Sequence, residues 1–460
     1  AMSPFAIKNV RLFVLFRVFF NARFYYPVFT ILFVDFGLSV AQFALLNAVW
    51  ACTIVLLEVP SGALADIIGR RKLLRFTGWL MVFEIALITF APRHNPALLF
   101  AIFFVNRILS GTAEAAASGA DEALAYDSLK EAGLEYQWDH VLEAQMRWQS
   151  VAFIVSMLIG ALVYDPALMQ KAGDLLGLKV TFTQDLTLRF PLFLTLAMAL
   201  ITLVITHRFS DADGDAAADE DSCLDVDTCT SSIGQTFRTT WQAGLWILRT
   251  PFALVVIAAG FVFDGIIRMV ITLTSQYYRV IALPEASYGV IGAGLALLGL
   301  VIPRIARAMS RSKTPLFNLL VMTTLTLTGL VGMNLFIPYW GLIPAVILFS
   351  TMYFNGFFVS NYLNRIAVSK QRATVLSFKG LAYNLTYGLI GIGYSVLVAA
   401  LRTKIDGSQS GLSSKHLENL VFSESFVWFP WTFVIAISLF MLFALWQLRA
   451  GIPAGIQKPQ

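Results

Sequence analysis

The sequence predicts an all-α polytopic membrane protein, twelve transmembrane helices in two pseudo-symmetric six-helix bundles, and three observations carry that prediction. The first is composition: of 460 residues 58% are hydrophobic and only 13% charged, and the mean hydropathy of +0.73 is far above that of soluble globular chains. The second is the shape of the apolar stretches, which form long runs instead of the alternation of a β-barrel. Helices are the other structure that satisfies every backbone group in lipid. The third is their number. A helix needs roughly 20 apolar residues to cross the hydrocarbon core, and twelve such segments fit at 11–34, 40–61, 73–91, 97–122, 143–164, 190–208, 251–280, 286–309, 315–337, 340–365, 372–401 and 425–448.

The first span begins at residue 11 without a separate cleavable pattern, so it is expected to act as the membrane signal itself. An even number of spans places both termini on one side, and basic residues assign that side. Lys8 and Arg11 precede span 1; Arg70, Arg71, Lys72 and Arg75 follow span 2. Arg304, Arg307, Arg311 and Lys313 follow span 8, and Lys370 and Arg372 follow span 10. All fall on one face, which is therefore expected to be cytoplasmic. The opposite loops carry sparser bases: Arg93, Lys171, Lys179, Arg402 and Lys404. The formal net charge of +5 then reflects orientation, and no nucleic-acid partner is expected. Short loops without an exposed N-x-[ST] acceptor point to a bacterial plasma membrane.

Spans 1–6 and 7–12 form two halves, residues 1–208 and 241–460, joined by a linker at 209–240. Between Asp211 and Asp227 this linker holds eight carboxylates and no base, a composition too polar to fold alone. Its Cys223 and Cys229 lie on the reducing side, and neither histidine nor a metal-ligand spacing accompanies them. Cys52 reads as a small core residue. No metal or cofactor is expected. The segments from Asp165 to Arg189 and from Arg402 to Glu424 occupy matching places in the two halves.

Between spans 2 and 3 runs GALADIIGRRKLL, Gly62 to Leu74. Its glycines permit tight turning, and an acid beside several bases at a helix junction can form interhelical pairs. The stretch resembles the signature loop of the major facilitator superfamily, G-x-L-A-D-x-x-G-R-[RK], at Gly62, Leu64, Ala65, Asp66, Gly69, Arg70 and Arg71. The resemblance implies a two-bundle secondary transporter in which this loop latches one conformation. It also implies that Asp66 and Arg70 contact neighbouring helix ends, with Asp121 the expected receiver of Arg70 and Asp127 the alternative. The loop after span 8, PRIARAMSRSKTPL, keeps bases but lacks the acid. On span 4, Arg107 and Gly111 are similar to an R-x-x-x-G pattern found among proton-coupled exporters of the superfamily.

A charge inside the bilayer costs several kcal/mol unless paired or hydrated, so intramembrane ionisable residues are functional candidates. Seven-residue steps return to nearly the same helix direction, which predicts one stripe of Arg107, Glu114 and Asp121 on span 4. Arg17, Arg23 and Arg107 balance Glu58, Glu84 and Glu114 in the first half. Two roles follow for this set: fixed salt bridges between helices, or proton exchange at Glu114, with Arg107 as its expected partner in coupling. Glu58, just before the signature loop, is expected to be structural. In the second half Asp264 and Arg268 lie four apart and can pair along span 7. Arg23, Asp264, Arg268, Gln276, Asn355 and Asn384 are the candidates for the substrate cavity. Dense aromatics on spans 1 and 10 favour an amphiphilic cargo over a sugar if they line it.

The expected protein is a monomeric secondary active transporter of a small molecule, with protons as coupling ion and no enzymatic activity. It lacks a G-x-x-x-x-G-K-[ST] nucleotide motif, and His94, His140, His207 and His416 are scattered near helix ends. Export of an amphiphilic compound is the leading expectation, uptake of an organic anion held by Arg23 and Arg107 the second, and a non-transporting receptor the third.

Overall fold

The structure, a computed structural model, describes residues 3–210, 238, 241–242, 244–366, 369–408 and 413–449. The side chain of Asp66 and the acidic run with Cys223 and Cys229 lie outside the described residues. Helix α1 (Lys8–Asn21) and α2 (Phe29–Phe36) make span 1, and α3 (Val40–Ile68) and α4 (Arg70–Thr89) follow. Next come α5 (Pro96–Ala117), α6 (Ala120–Glu131), α7 (Trp138–Tyr164), α8 (Pro166–Leu175), α9 (Gln184–Thr187) and α10 (Phe190–Arg208). The second half comprises α11 (Pro251–Thr272), α12 (Thr274–Val280), α13 (Ser287–Ser312), α14 (Pro315–Met333) and α15 (Leu342–Ile366). It closes with α16 (Ser369–Ser408), α17 (Ser414–Phe426) and α18 (Trp428–Gln447).

Eleven helical segments among the described residues are long and apolar enough to cross a membrane. The twelfth, α4, has the length, but Lys72, Arg75 and Glu84 interrupt its apolar run. It packs lengthwise against α5 and α10, with Glu84 buried on that inner side. Local chemistry fixes several starts. Ser39 and Gln42 form a reciprocal capping box on α3, at 3.1 and 2.9 Å, and Asn95 caps α5 ahead of Pro96.

Three expected spans are broken. Span 1 unwinds over residues 22–28, where Pro27 supplies no amide hydrogen and the Phe24 amide turns to Thr195 Oγ1 at 3.0 Å. Span 7 breaks at Leu273, where Thr272 and Thr274 hydroxyls bond back to the carbonyls of Arg268 and Ile271. Such back-bonding bends helices. Span 4 ends at Ala117, and Gly119 at φ +79° redirects the chain into α6. The stripe expected of Arg107, Glu114 and Asp121 is therefore interrupted: the first two face the interior of the molecule, and Asp121 turns to α1. The signature stretch also differs from expectation. Gly62 is inside α3, which runs on to Ile68, and Gly69 at φ +88° alone makes the turn.

Small residues bring elements together where backbone must meet backbone. A Cβ on Gly160 of α7 would sit 1.8 Å from the Phe24 carbonyl oxygen, so α7 holds the broken part of span 1 by direct backbone contact. Gly160→Ala is expected to destabilise the protein by about 1–3 kcal/mol. Thermal unfolding of purified protein measures this, and an unchanged midpoint contradicts the contact.

The chain stretches before span 1 and after spans 2, 8 and 10 are separated by even numbers of crossings and so lie at one end of the molecule, here the basic end. Named bonds between the halves lie at the opposite end. There Thr30 and Ile31 amides donate to Ser275 Oγ at 3.0 and 3.2 Å, so the two broken spans meet. Ser395 Oγ donates to the Ala41 carbonyl at 2.8 Å, and Glu418 accepts from the Val40 amide at 2.9 Å.

Candidate functional site

Between the halves, at mid-depth, lies a cavity of about 530 Å³. Its wall is mostly aromatic and apolar, including Tyr26, Phe29, Trp50, Met157, Tyr353 and Tyr387, with Arg107, Glu114 and Arg268 as its charged groups. A second cavity of about 250 Å³ continues toward the basic end, lined by Arg17, Glu58, Glu114 and Asn384 among others. Trp50 and Glu114 belong to both walls. One carboxylate thus stands where the two spaces adjoin.

Glu114 and Arg107 share the central cavity but do not pair with each other. Arg107 is buried, its Nε and Nη2 donating to Asn106 Oδ1 at 3.0 and 2.9 Å, with the Phe29 and Phe33 rings 5.5 Å from its guanidinium carbon. Asn106 is fixed in turn by donating to the Glu84 carbonyl at 2.8 Å. Among the described residues Arg107 has no carboxylate partner. Gly111 explains how α5 comes so close to α3: a Cβ there would lie 2.9 Å from the Trp50 carbonyl oxygen.

Glu114 is a third exposed, to the cavities, and its nearest cation is Arg23 Nη2 at 4.0 Å. Arg23 is itself buried and bonded through Nη1 to Glu84, which is fully buried on α4. Arg23 does not line the central cavity, contrary to expectation, because the unwound part of span 1 turns it inward between α4 and α5. It joins two carboxylates to one cation, and with all three ionised the group carries a net negative charge. Arg17, Asp121, Tyr25 and Tyr26 also face this group.

The expected three-on-three balance is not how the charges pair. Arg17 Nη2 donates to Asp121 Oδ1 at 2.9 Å, and Arg70 goes to Asp127. Asp121, the expected receiver of Arg70, is unavailable because the bend at Gly119 aims it at α1. Asp127, six residues further along α6, reaches the start of α4. Gly69 and Arg70 stand at the junction of α3 and α4, and the side chain of Asp66 lies outside the described residues. Glu58 lines the smaller cavity and has no ion-pair partner among the described residues.

In the second half Asp264 and Arg268 pair along their helix at 2.6 Å, as their spacing predicts. Arg268 also donates to Asn384 Oδ1 at 2.9 Å and lies over the Tyr387 ring. It is in the cavity wall while Asp264 is behind it. Gln276 is fully buried and donates to Asn419 Oδ1 at 2.7 Å, and Asn355 lines a separate apolar pocket inside the second half. Neither reaches the central cavity.

Sequence reasoning missed the charge cluster that closes the opposite end. Arg279 of α12 donates twice to Asp35 at the end of α2, at 2.9 and 2.7 Å, and once to Glu285 at 2.6 Å. Tyr164 also donates to Asp35, and Lys415 lies 3.9 Å away. Burial pushes the Glu285 carboxyl above its ordinary pKa, and Arg279 opposes that push. A proton on Glu285 weakens its hold on Arg279. The sequence signal was present, an acid and a base at the outer ends of spans 1 and 7, but only a duplicated fold brings those ends together.

Two helical bundles around one central cavity, tied together at one end, define a transporter of the alternating-access class. The chain belongs to the Major Facilitator Superfamily, whose sequence profile matches residues 12–393. No curated protein sequence matches it. Among solved structures it is similar to a bacterial homologue of the human lysosomal transporter Spinster in an inward-facing, unoccupied conformation, at TM-score 0.68 and 14% identity, covering 99% of this chain and 100% of that one. It is similar also to a D-xylose–proton symporter, at TM-score 0.63 and 11% identity over 92% of this chain and 96% of the other. A nucleoside transporter matches at TM-score 0.63 and 12% identity, over 95% and 99%. At such identities the likeness is one of fold.

Proposed function

We propose that the chain is a proton-coupled secondary transporter that exports a small amphiphilic organic compound, with Glu114 as the proton-exchanging group. The position of Glu114 carries this reading: among the described residues it is the one carboxylate in the wall of the central cavity, and it also borders the space toward the basic end. A carboxylate that borders both spaces can take a proton from one side and give it up to the other as the protein changes conformation, which is the requirement for coupling. The aromatic wall suits a flat or amphiphilic cargo. With the basic end cytoplasmic, both termini are cytoplasmic too, and the ion pairs at the opposite end close the cavity to the outside. The naming of one structural neighbour as a proton symporter supports proton coupling in this fold and leaves direction open. Arg70 with Asp127 serves as the latch in this scheme.

A second reading, proton-coupled uptake of an organic anion, is favoured by Arg107 and Arg268 entering one cavity from the two halves. Proteoliposome flux with the pH gradient imposed in either polarity separates the two. For an exporter, inward proton movement drives cargo the other way, and Arg107→Gln with Arg268→Gln leaves a cationic or neutral cargo moving. Movement of cargo with the proton, abolished in those two variants, replaces export by anion uptake. Flux unaffected by any gradient sinks both readings.

A further inference from the structure

The cytoplasmic-type bases of the two halves have different counter-charges. In the first half Arg17 meets Asp121 and Arg70 meets Asp127. In the second half the stretches 302–314 and 357–374 hold Arg304, Arg307, Arg311, Lys313, Arg365, Lys370 and Arg372 and not one acid. Orientation of the chain in the membrane explains the sign of these residues, but not their convergence. Arg307, Ser310 and Arg311 on one face of α13, and Phe357, Asn361 and Arg365 at four-residue steps on α15, line a single cavity of about 610 Å³ at the basic end. Among the described residues none of the three arginines has a carboxylate within 4.0 Å, and Arg365 touches only the Ser310 carbonyl across the gap, at 3.5 Å. Asn361 adds a buried amide oxygen without a partner.

We propose that this cavity binds the phosphodiester headgroup of an anionic membrane lipid. Three guanidinium groups on two helices present planar donors suited to a phosphate. Their place at the helix ends is the depth of lipid phosphates, and Phe357, two turns deeper than Arg365, meets the start of the acyl chains. The unpartnered Asn361 oxygen accepts a hydroxyl of the headgroup, which favours a glycerol headgroup over choline. Basic pockets between membrane helices bind anionic headgroups by this chemistry. Occupied, the cavity ties span 8 to span 10 through the lipid.

The test uses the full chain in phosphatidylcholine nanodiscs with and without phosphatidylglycerol, reading lipid retention by native mass spectrometry. Wild type is expected to retain phosphatidylglycerol, and a combined Arg307→Gln, Arg311→Gln, Arg365→Gln variant to bind it on the order of a hundredfold more weakly. Lys8→Gln with Arg11→Gln and Lys130→Gln, which removes the same charge elsewhere at the basic end, is expected to retain it. The lysine versions of the three arginines retain charge and show whether the fold tolerates change there. Equal retention by wild type and the glutamine variant overturns the proposal. So does full stabilisation of wild type by inorganic phosphate alone, which assigns the cavity to a soluble anion. A lipid preference that appears only when the linker's eight carboxylates are replaced by amides assigns the counter-charge to the linker and overturns it as well.

Discussion

Glutamine in place of Glu114 is expected to reduce proton-driven flux to the level of protein-free vesicles, while exchange of cargo between the two faces persists. The substitution keeps the size and hydrogen-bonding capacity of a protonated glutamate and removes its ability to give the proton up. Arg23, 4.0 Å away, is already held by Glu84, so the variant does not leave this arginine without a buried partner. Folding and cargo movement are therefore spared where coupling is lost. A pH-sensitive dye inside the vesicles reads the proton, and labelled cargo reads the exchange. Gradient-driven flux that survives in the variant removes Glu114 from the coupling role. Glu84→Gln is the informative companion: it frees Arg23 to hold Glu114 ionised, and both coupled flux and exchange are expected to fall.

Asp35→Asn is expected to shift the protein toward opening at the end remote from the basic residues. Asp35 and Arg279 are each less than a tenth exposed, and breaking a buried pair leaves a charge without compensation. Glu285 keeps one bond to Arg279, so a loss of about 3 kcal/mol is the scale, on the order of 100-fold in the ratio of closed to open forms. Spin labels at the exposed Leu176 and Trp340, one in each half, report the separation. An unchanged distance distribution means that the seal depends on packing, not on this cluster.

The number of spans, the turn at Gly69 and the Asp264–Arg268 pair were legible because each depends on local pattern: apolar length, a signature, a four-residue spacing. The breaks were less so. Pro27 and Gly119 mark two of them in the sequence, yet both sit inside runs whose hydropathy reads as continuous, and the break at Leu273 has only threonines to announce it. Once a helix bends, inference by helical phase fails beyond the bend, which is why Asp121 was placed with Glu114 and is found with Arg17. Partners that come from other helices were beyond the reach of spacing. Arg23 with Glu84 and Asp35 with Arg279 join residues 61 and 244 apart in the chain.

The meeting of the two broken spans has a consequence for the medium around the protein. Thr30 and Ile31 amides, which an unbroken helix would satisfy internally, depend on Ser275 of the other half. Parting the halves strands these donors unless water takes the place of the serine. Opening at that end is then a hydration step as well as a movement, and its equilibrium responds to water activity: osmolytes excluded from the crevice hold it shut.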